Sequence, residues 1–289
     1  MRTQVRNLKR IFTLFLTNTI ADAEQTSKTH FLKCWSFGWS VKMPKLTVAH
    51  GCSFTKYQWP CWPAYVSWFN GGVQMLNKGR SASGNETISR GAINSAMKHK
   101  QIEHMYIMWS GTDRYEVITK EEGPDNKGEM TYRVWDKDFN WSVYYGGHPE
   151  QSKHEIYRRH FWDEEHQYYR TLEHINRTQM FLDKKKIPYT MMIFRKSVLK
   201  EKLFSESERA MHNEIDWTKF LFYKDKGGLW EFGKDNYSEY YKLGESHPPP
   251  IAHYHWVKDI MFKSDVLCPE DEYKKIKNYL QGYDGRSGI

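Results

Sequence analysis

The sequence lacks the long apolar run that a membrane-spanning helix requires. A helix needs about 18 uninterrupted apolar residues to cross a bilayer, and no stretch of these 289 residues approaches that length. The mean hydropathy is −0.81, because charged, tyrosine and histidine residues are spread throughout. We therefore expect a protein without a membrane partner, although 39% apolar residues suffice for a sizeable core.

Cysteine is scarce as well. The four cysteines are Cys34, Cys52, Cys61 and Cys268. They have neither the paired close spacing of a zinc site nor the density of a disulfide scaffold. A reducing, cytoplasmic compartment is the simplest interpretation, and we predict no metal and no cofactor.

The body of the chain lacks an excess of basic residues. The formal net charge is +8, but +5 of it falls within residues 1–42. Acidic and basic side chains are mixed in the remainder, which is not the basic surface of a nucleic-acid-binding protein. We predict no nucleic-acid partner; binding through the basic leader alone would be lost on its deletion.

Residues 1–42 differ in composition from the rest of the chain. A basic start, a short and partly polar apolar stretch and Ala21-Asp22-Ala23 resemble a secretory signal over residues 1–23, which would make the protein secreted. The alternative is an extension foreign or loosely attached to the domain, with Met43 as the true start. We predict an extension over residues 1–42 and a single domain over residues 43–289.

From Leu46 onward, short apolar runs alternate with longer amphipathic ones. This pattern favours an α/β fold of three layers, α/β/α, with a central parallel sheet. The predicted strands are Leu46–His50, Val73–Asn77, Met105–Trp109 and Tyr189–Phe194. The predicted helices are Pro63–Phe69, Thr87–Lys98, Ser152–Lys184, Ala252–Lys263 and Pro269–Leu280.

An insertion is predicted after the third strand, over residues 112–147. It has two alternating runs around the hairpin-like signal Asp125-Asn126-Lys127-Gly128. Because ligands bind at the carboxyl edge of open α/β sheets, its aromatic residues either line a substrate cleft or pack the insertion against the domain. These residues are Trp135, Trp141, Tyr144 and Tyr145.

Four short segments carry the residue types that catalysis needs. In the first, a predicted strand ends at Gly51 and is followed by Cys52 and Ser53, which places a hydroxyl at the strand's carboxyl end. The second, residues 77–85, has small residues ahead of a helix, where backbone N–H groups can approach an anion. The third is residues 109–114, and the fourth is residues 247–253, in which a prolyl run fixes the loop that bears His247.

In their order, these segments resemble the four conserved blocks of the SGNH (GDSL-like) hydrolases. The resemblance spans about residues 46–263 and implies Ser53 as the nucleophile and His247 as the catalytic histidine, with His253 similar to the histidine near the last helix. It places the oxyanion donors at Ala82, Gly84, Asn85 and Asp113. Arg114 and Trp109, beside Asp113, are predicted to lie in the substrate cleft.

Four positions depart from the family pattern. Ala82 replaces the oxyanion glycine of the second block, a mild change because the donor there is a backbone N–H. Cys52 replaces the aspartate of the first block, and Asp113 replaces an asparagine that donates to the oxyanion, which an ionised carboxylate cannot do. Gly244 stands at the aspartate position of the last block, so we expect Glu245 to orient His247 instead.

The resemblance implies a serine esterase that acts on small acyl esters, including O-acetylated carbohydrate, through an acyl-serine intermediate. The competing interpretation is a catalytically weakened module that binds glycans. Two further alternatives are Cys52 as the nucleophile and a zinc ion held by His247, His253 and His255. The oligomeric state is left open.

Overall fold

The structure is a computed structural model. It describes residues 46–119, 132–136, 139–145, 159–160, 162–200, 202–203, 205–241, 247–266 and 268–278, and for residues 117–145 only the backbone. The predicted extension over residues 1–42 lies outside the described residues.

A five-stranded, all-parallel sheet forms the centre of the domain. With strands numbered along the chain, its order is β2-β1-β3-β7-β8. The strands are β1 (Leu46–His50), β2 (Gln74–Asn77), β3 (Ile102–Trp109), β7 (Tyr189–Ile193) and β8 (Phe220–Leu221). Strands β1 and β3 lie inside the sheet and are almost entirely buried, whereas edge strand β2 is partly exposed. This confirms the predicted α/β class and the parallel sheet.

Helices connect the strands. The eight α-helices of the described residues are α1 (Trp62–Phe69), α2 (Asn85–Lys98), α3 (Glu164–Lys184), α4 (Glu206–Asn213), α5 (Leu229–Asn236), α6 (Ser238–Tyr241), α7 (Pro250–His255) and α8 (Glu270–Lys277). Helix α7 continues into the π-helical turn Trp256–Met261, and 3-10 turns lie at Lys196–Val198 and Trp217–Lys219.

The helices cover both faces of the sheet. His50 hydrogen-bonds Ser95 of α2, while Tyr106 of β3 packs edge-on against Trp62 of α1. In the register of the two strands, His50 pairs with Ile107 and Ala49 with Tyr106. Since side chains alternate between faces along a strand, His50 and Tyr106 point to opposite faces. Helices α1 and α2 therefore lie on opposite sides, consistent with three layers.

The strand order creates a crevice at the carboxyl edge. From β1 the chain crosses to β2 on one side, and from β3 it passes to β7 on the other. Connections that leave neighbouring strands in opposite directions open a gap between their carboxyl ends, and ligands of open α/β folds bind there. Ser53 follows β1 and Ser110 follows β3, so both segments reach this gap.

A second, antiparallel sheet follows β3. It consists of β4 (Arg114–Thr119), β5 (Tyr132–Asp136) and β6 (Phe139–Tyr145), in the order β4-β6-β5. The hairpin-like signal at residues 125–128 predicted that the runs on its two sides pair with each other. This was wrong: β6 lies between them and pairs with both.

The long third helix starts later than the periodicity indicates. The prediction began it at Ser152, but α3 starts at Glu164, where the Asp163 carboxylate accepts a hydrogen bond from the backbone N–H of His166 at 2.6 Å. An aspartate that binds a free N–H of the first turn sets the start of a helix, and the apolar spacing upstream does not reveal this.

Candidate active site

The site begins with a tight turn after β1. The carbonyl of Cys52 accepts hydrogen bonds from the backbone N–H groups of Thr55 and Lys56, at 2.9 and 3.2 Å. The side chain of Thr55 fills the space beside Gly51, where an added Cβ would lie 2.0 Å from Thr55 Oγ1. Glycine is therefore required at residue 51, because any side chain there would displace the turn that carries Ser53.

His247 lies beside Ser53, although 194 residues separate them in sequence. The imidazole Nε2 is 2.8 Å from the Ser53 hydroxyl oxygen, a normal hydrogen-bond length. The ring of Tyr57 stacks on the imidazole with centroids 4.1 Å apart and planes 16° apart, and Phe54 contacts it at 5.2 Å. The aromatic rings limit the rotation of the imidazole, so the pair is held in one geometry.

Access to this pair is narrow. Ser53 is 7% exposed and His247 is partly exposed, whereas Cys52 is fully buried. A group that must attack a substrate has to be reachable, so the geometry favours Ser53 over Cys52 as a nucleophile.

Two side chains hold the loop that carries His247. The indole N–H of Trp59 donates to the carbonyl of Pro248 at 3.1 Å. His253 also hydrogen-bonds the backbone of Pro248, which must be the carbonyl because proline has no N–H. The residue next to His247 is thus tied both to the segment after Ser53 and to helix α7.

His253 serves this purpose as a neutral imidazole. Its Nδ1 accepts a hydrogen bond from the backbone N–H of Trp62 at 3.2 Å, so the proton resides on Nε2 and is donated to Pro248. Burial, and secondarily the neighbouring His247, lowers the pKa of His253 to about 3. The resemblance pointed to His253, but no sequence pattern indicated its contact with Pro248.

One backbone group, the N–H of Ser53, remains as a candidate oxyanion donor, and the predicted donor Ala82 lies in an unusual backbone conformation. Among the described residues, the N–H of Ser53 makes no hydrogen bond to another backbone group. Ala82 has a φ of +65°, in the left-handed region that glycine adopts most easily. It follows a turn in which Ser83 N–H donates to the carbonyl of Arg80 at 3.3 Å. The resemblance to the SGNH hydrolases implies a glycine at position 82, and Ala82 adopts a backbone shape that is typical of glycine.

The prediction that Gly84 donates to an oxyanion was wrong for this structure. Its N–H already donates to Oε1 of Glu116 at 2.8 Å, and the N–H of Thr87 donates to Oε2 at the same distance. Glu116 of β4 thereby caps the start of α2. Burial raises the pKa of this carboxyl group, while the hydrogen bonds from Thr87 and Gly84 oppose the rise. The alternating pattern of the strand that contains Glu116 does not indicate that this residue caps a helix.

Asn85 is similarly occupied, which contradicts its predicted role. Its side-chain amide donates to the Ser110 carbonyl and to Thr171 Oγ1, both at 3.1 Å, and its oxygen accepts from the N–H of Ser110 at 2.8 Å. Asn85 is 3% exposed. It therefore links the start of α2 to the segment after β3 and to α3. Its amide does not present a donor to a ligand.

The segment after β3 differs from its prediction in part. Trp109 is fully buried and its indole N–H points to Met191 Sδ at 3.4 Å, so its predicted place in a cleft was wrong. Arg114 donates to the Ser83 carbonyl at 2.8 Å and holds the loop before α2. Asp113 is exposed, with its carboxylate against Gly111.

Glu245 and Gly244 lie outside the described residues, as do the side chains of the insertion's aromatic residues.

The three histidines proposed as zinc ligands have different partners. His247 contacts Ser53, His253 contacts Trp62, and the Nδ1 of His255 lies 2.9 Å from Asp259. Within the described part of the chain, no group of three or more potential ligands is arranged to hold a metal. Nor does any helix among the described residues combine the length and the apolar character needed to cross a membrane.

Comparison with known proteins adds no family. No protein-family model matches the chain, and a search of curated proteins finds no match.

Proposed function

We propose that this protein is a serine hydrolase of the SGNH type that cleaves small acyl esters. The observation that carries the proposal is the 2.8 Å contact between His247 Nε2 and Ser53 Oγ at the carboxyl edge of a parallel sheet. A hydroxyl and an imidazole within hydrogen-bond distance, close to the backbone N–H of Ser53, form the arrangement that activated serine nucleophiles share.

The chemistry follows from this geometry. His247 accepts the proton of Ser53 while Oγ attacks the ester carbonyl carbon, and the carbonyl oxygen becomes an oxyanion near the Ser53 N–H. When the tetrahedral intermediate collapses, the alcohol leaves and takes the proton from His247. Water then attacks the acyl-serine, again with His247 as the base, and releases the carboxylic acid.

The narrow opening at Ser53 favours a small acyl group, such as acetyl, over a long chain. Only 7% of Ser53 is exposed, so the acyl moiety must be slim enough to enter beside Tyr57 and His247. Carbohydrate as the alcohol portion follows from the family resemblance alone.

A fluorophosphonate probe, which reacts with activated serines, tests the proposal. We expect stoichiometric labelling of the wild-type protein at Ser53, identified by mass spectrometry of the tryptic peptide. Ser53→Ala and His247→Asn should both lose the label, since one lacks the oxygen and the other the base. Ser81→Ala is the matched control because Ser81 is exposed and belongs to a neighbouring loop.

A carbohydrate-binding module without catalysis is the second candidate. It is favoured by the engagement of Gly84 and Asn85, which removes two of the predicted oxyanion donors. Absence of labelling in wild type, together with glycan binding that survives Ser53→Ala, would select the module and reject the hydrolase.

A further inference from the structure

A cavity of about 110 Å³ lies between helix α2 and the carboxyl ends of β1 and β2. It is separate from the Ser53–His247 pair, and neither of those residues lines it. Its walls are the end of β1, the loop after β2 and one face of α2. The lining residues are His50, Gly51, Lys78, Arg80, Ser83, Thr87, Ile88, Gly91, Asn94, Ser95, Lys98 and His99.

The lining is basic and rich in hydrogen-bond donors. Lys78 and Arg80 come from the loop after β2, while Lys98 and His99 come from the end of α2. None of the described residues that line the cavity carries a carboxylate. Positive groups from two separate segments therefore converge on one small volume, and serine and threonine side chains lie between them.

The basic side chains around the cavity affect the imidazoles that line it. Burial, followed by the charges of Lys78 and Arg80, lowers the pKa of His50 to about 3. Burial, followed by Lys78 and Lys98, lowers the pKa of His99 as well. His50 and His99 thus both lie near the same positive charges. An anion bound in the cavity would offset those charges.

A glycine keeps the cavity open on the helix side. An added Cβ at Gly91 would lie 3.0 Å from His50 Nδ1 and 3.2 Å from its Cε1. The ring can therefore lie flat against α2 while its Nε2 contacts Ser95 Oγ at 3.0 Å. A larger residue at position 91 would press on the ring and fill the space between β1 and the helix.

We propose that this cavity binds a phosphate-type oxyanion, either as the free ion or as the terminal group of a small monoester. Lysine and arginine provide charge-assisted hydrogen bonds to such oxygens, and the hydroxyls of Ser83 and Ser95 provide neutral ones. The proposal does not depend on the hydrolase activity, because it uses different side chains.

The test is isothermal titration calorimetry of the full-length protein with inorganic phosphate and, separately, with methyl phosphate. The ionic strength is held constant because salt screens exposed charges. We expect saturable binding at a single site. Binding of inorganic phosphate alone would assign the free ion, and binding of methyl phosphate alone would assign a monoester.

The variants locate the site. Lys78→Gln with Lys98→Gln removes two of the lining charges, and we expect about a tenfold or greater rise in Kd. Lys100→Gln is the matched control, since Lys100 is an exposed lysine two residues from Lys98 and outside the lining. The conservative Lys98→Arg should retain binding, and Ser53→Ala should bind as the wild type does.

Two results would overturn the proposal. One is that neither anion shows saturable binding to the wild-type protein. The other is that Lys100→Gln weakens binding as much as the double variant, which would indicate a diffuse response to net charge. Unfolding midpoints of all variants, measured in parallel, separate a loss of binding from a loss of structure.

Discussion

The indole N–H of Trp59 donates to the carbonyl of Pro248 at 3.1 Å and so joins the segment after Ser53 to the loop that carries His247. The bond is buried and spans 189 residues of sequence. It positions the histidine without touching it, because Pro248 is the next residue along the chain. The contact between Ser53 and His247 thus depends on a hydrogen bond outside the pair.

Trp59→Phe tests this positioning role. The substitution keeps an aromatic ring but removes the donor, so we expect a stability loss of about 1 kcal/mol. If the protein is a hydrolase, kcat should fall while KM stays unchanged, since the base is displaced but the substrate contacts are not. Ester hydrolysis kinetics and urea denaturation measure the two effects.

Trp217→Phe is the control for that experiment. Trp217 also donates from its indole to a backbone carbonyl, that of His212 at 3.0 Å, in a different part of the fold. If Trp217→Phe loses a similar amount of stability but keeps its kcat, then Trp59 has a positioning role that Trp217 lacks. An equal fall in kcat for both variants would show that Trp59 acts through general stability and has no positioning role.

The sequence predicted the central strands because their burial leaves a direct signature. Strand β1 was predicted with its observed bounds and β7 to within one residue, as each is a short apolar run bounded by turn residues. Strand β8 has two residues, too few for any periodic pattern. The start of α3 was missed because a side-chain cap determines it and apolar spacing does not.

The pairing of Ser53 with His247 could be predicted from the sequence. The contacts of other residues that hold the surrounding segments in place could not. Ser53 and His247 follow from strand ends and a prolyl loop that topology brings to one edge. Trp109 was misplaced because an aromatic residue at a strand end looks the same in sequence whether it points to the core or to a cleft. Trp59 and Glu116 act through pairings between distant segments, which no local spacing indicates.

Gly51→Ala should destabilise the protein. The new methyl group would lie 2.0 Å from Thr55 Oγ1 and 3.0 Å from the carbonyl oxygen of Met108, which is strand backbone and cannot easily move. Overpacking of this kind costs about 1–3 kcal/mol. Urea denaturation measures the loss, and Thr55→Ala in the same chain should restore part of it; full stability of Gly51→Ala alone would contradict the packing described for the turn.

Glu116→Gln should also lower the free energy of unfolding. The carboxylate accepts from two backbone N–H groups, and an amide has only one oxygen, so its NH₂ group must face one of those donors. Leaving a buried donor unsatisfied costs about 1–3 kcal/mol. Glu165→Gln is the control, since Glu165 is exposed at the start of α3; a change there should stay within about 0.5 kcal/mol. Equal effects would mean that the Glu116 cap contributes little.

Stability should decrease as the pH falls below 6.5, the ordinary pKa of a histidine side chain, because of three buried imidazoles. The three are His50, His174 and His253, which are 3%, 8% and 1% exposed, and burial lowers the pKa of each to about 3. Between pH 6.5 and about 3 the unfolded chain therefore binds protons that the folded protein does not, which favours unfolding as the pH falls. Above pH 6.5 both forms are neutral and this contribution to stability is complete. Each imidazole contributes about 1.4 kcal/mol per pH unit within that window.

Urea denaturation at pH 7.5, 6.5 and 5.5 measures this dependence. His50→Gln should lose about 1 kcal/mol of the difference between pH 6.5 and 5.5 that the wild type shows, because one of the three sites is gone. His166→Gln is the control, since His166 is exposed in the first turn of α3. If the free energy of unfolding changes with pH equally in His50→Gln and the wild type, then His50 is not held neutral by the fold. One of the two observations behind the positive potential inferred for the cavity beside α2, the lowered pKa of His50, would then be withdrawn.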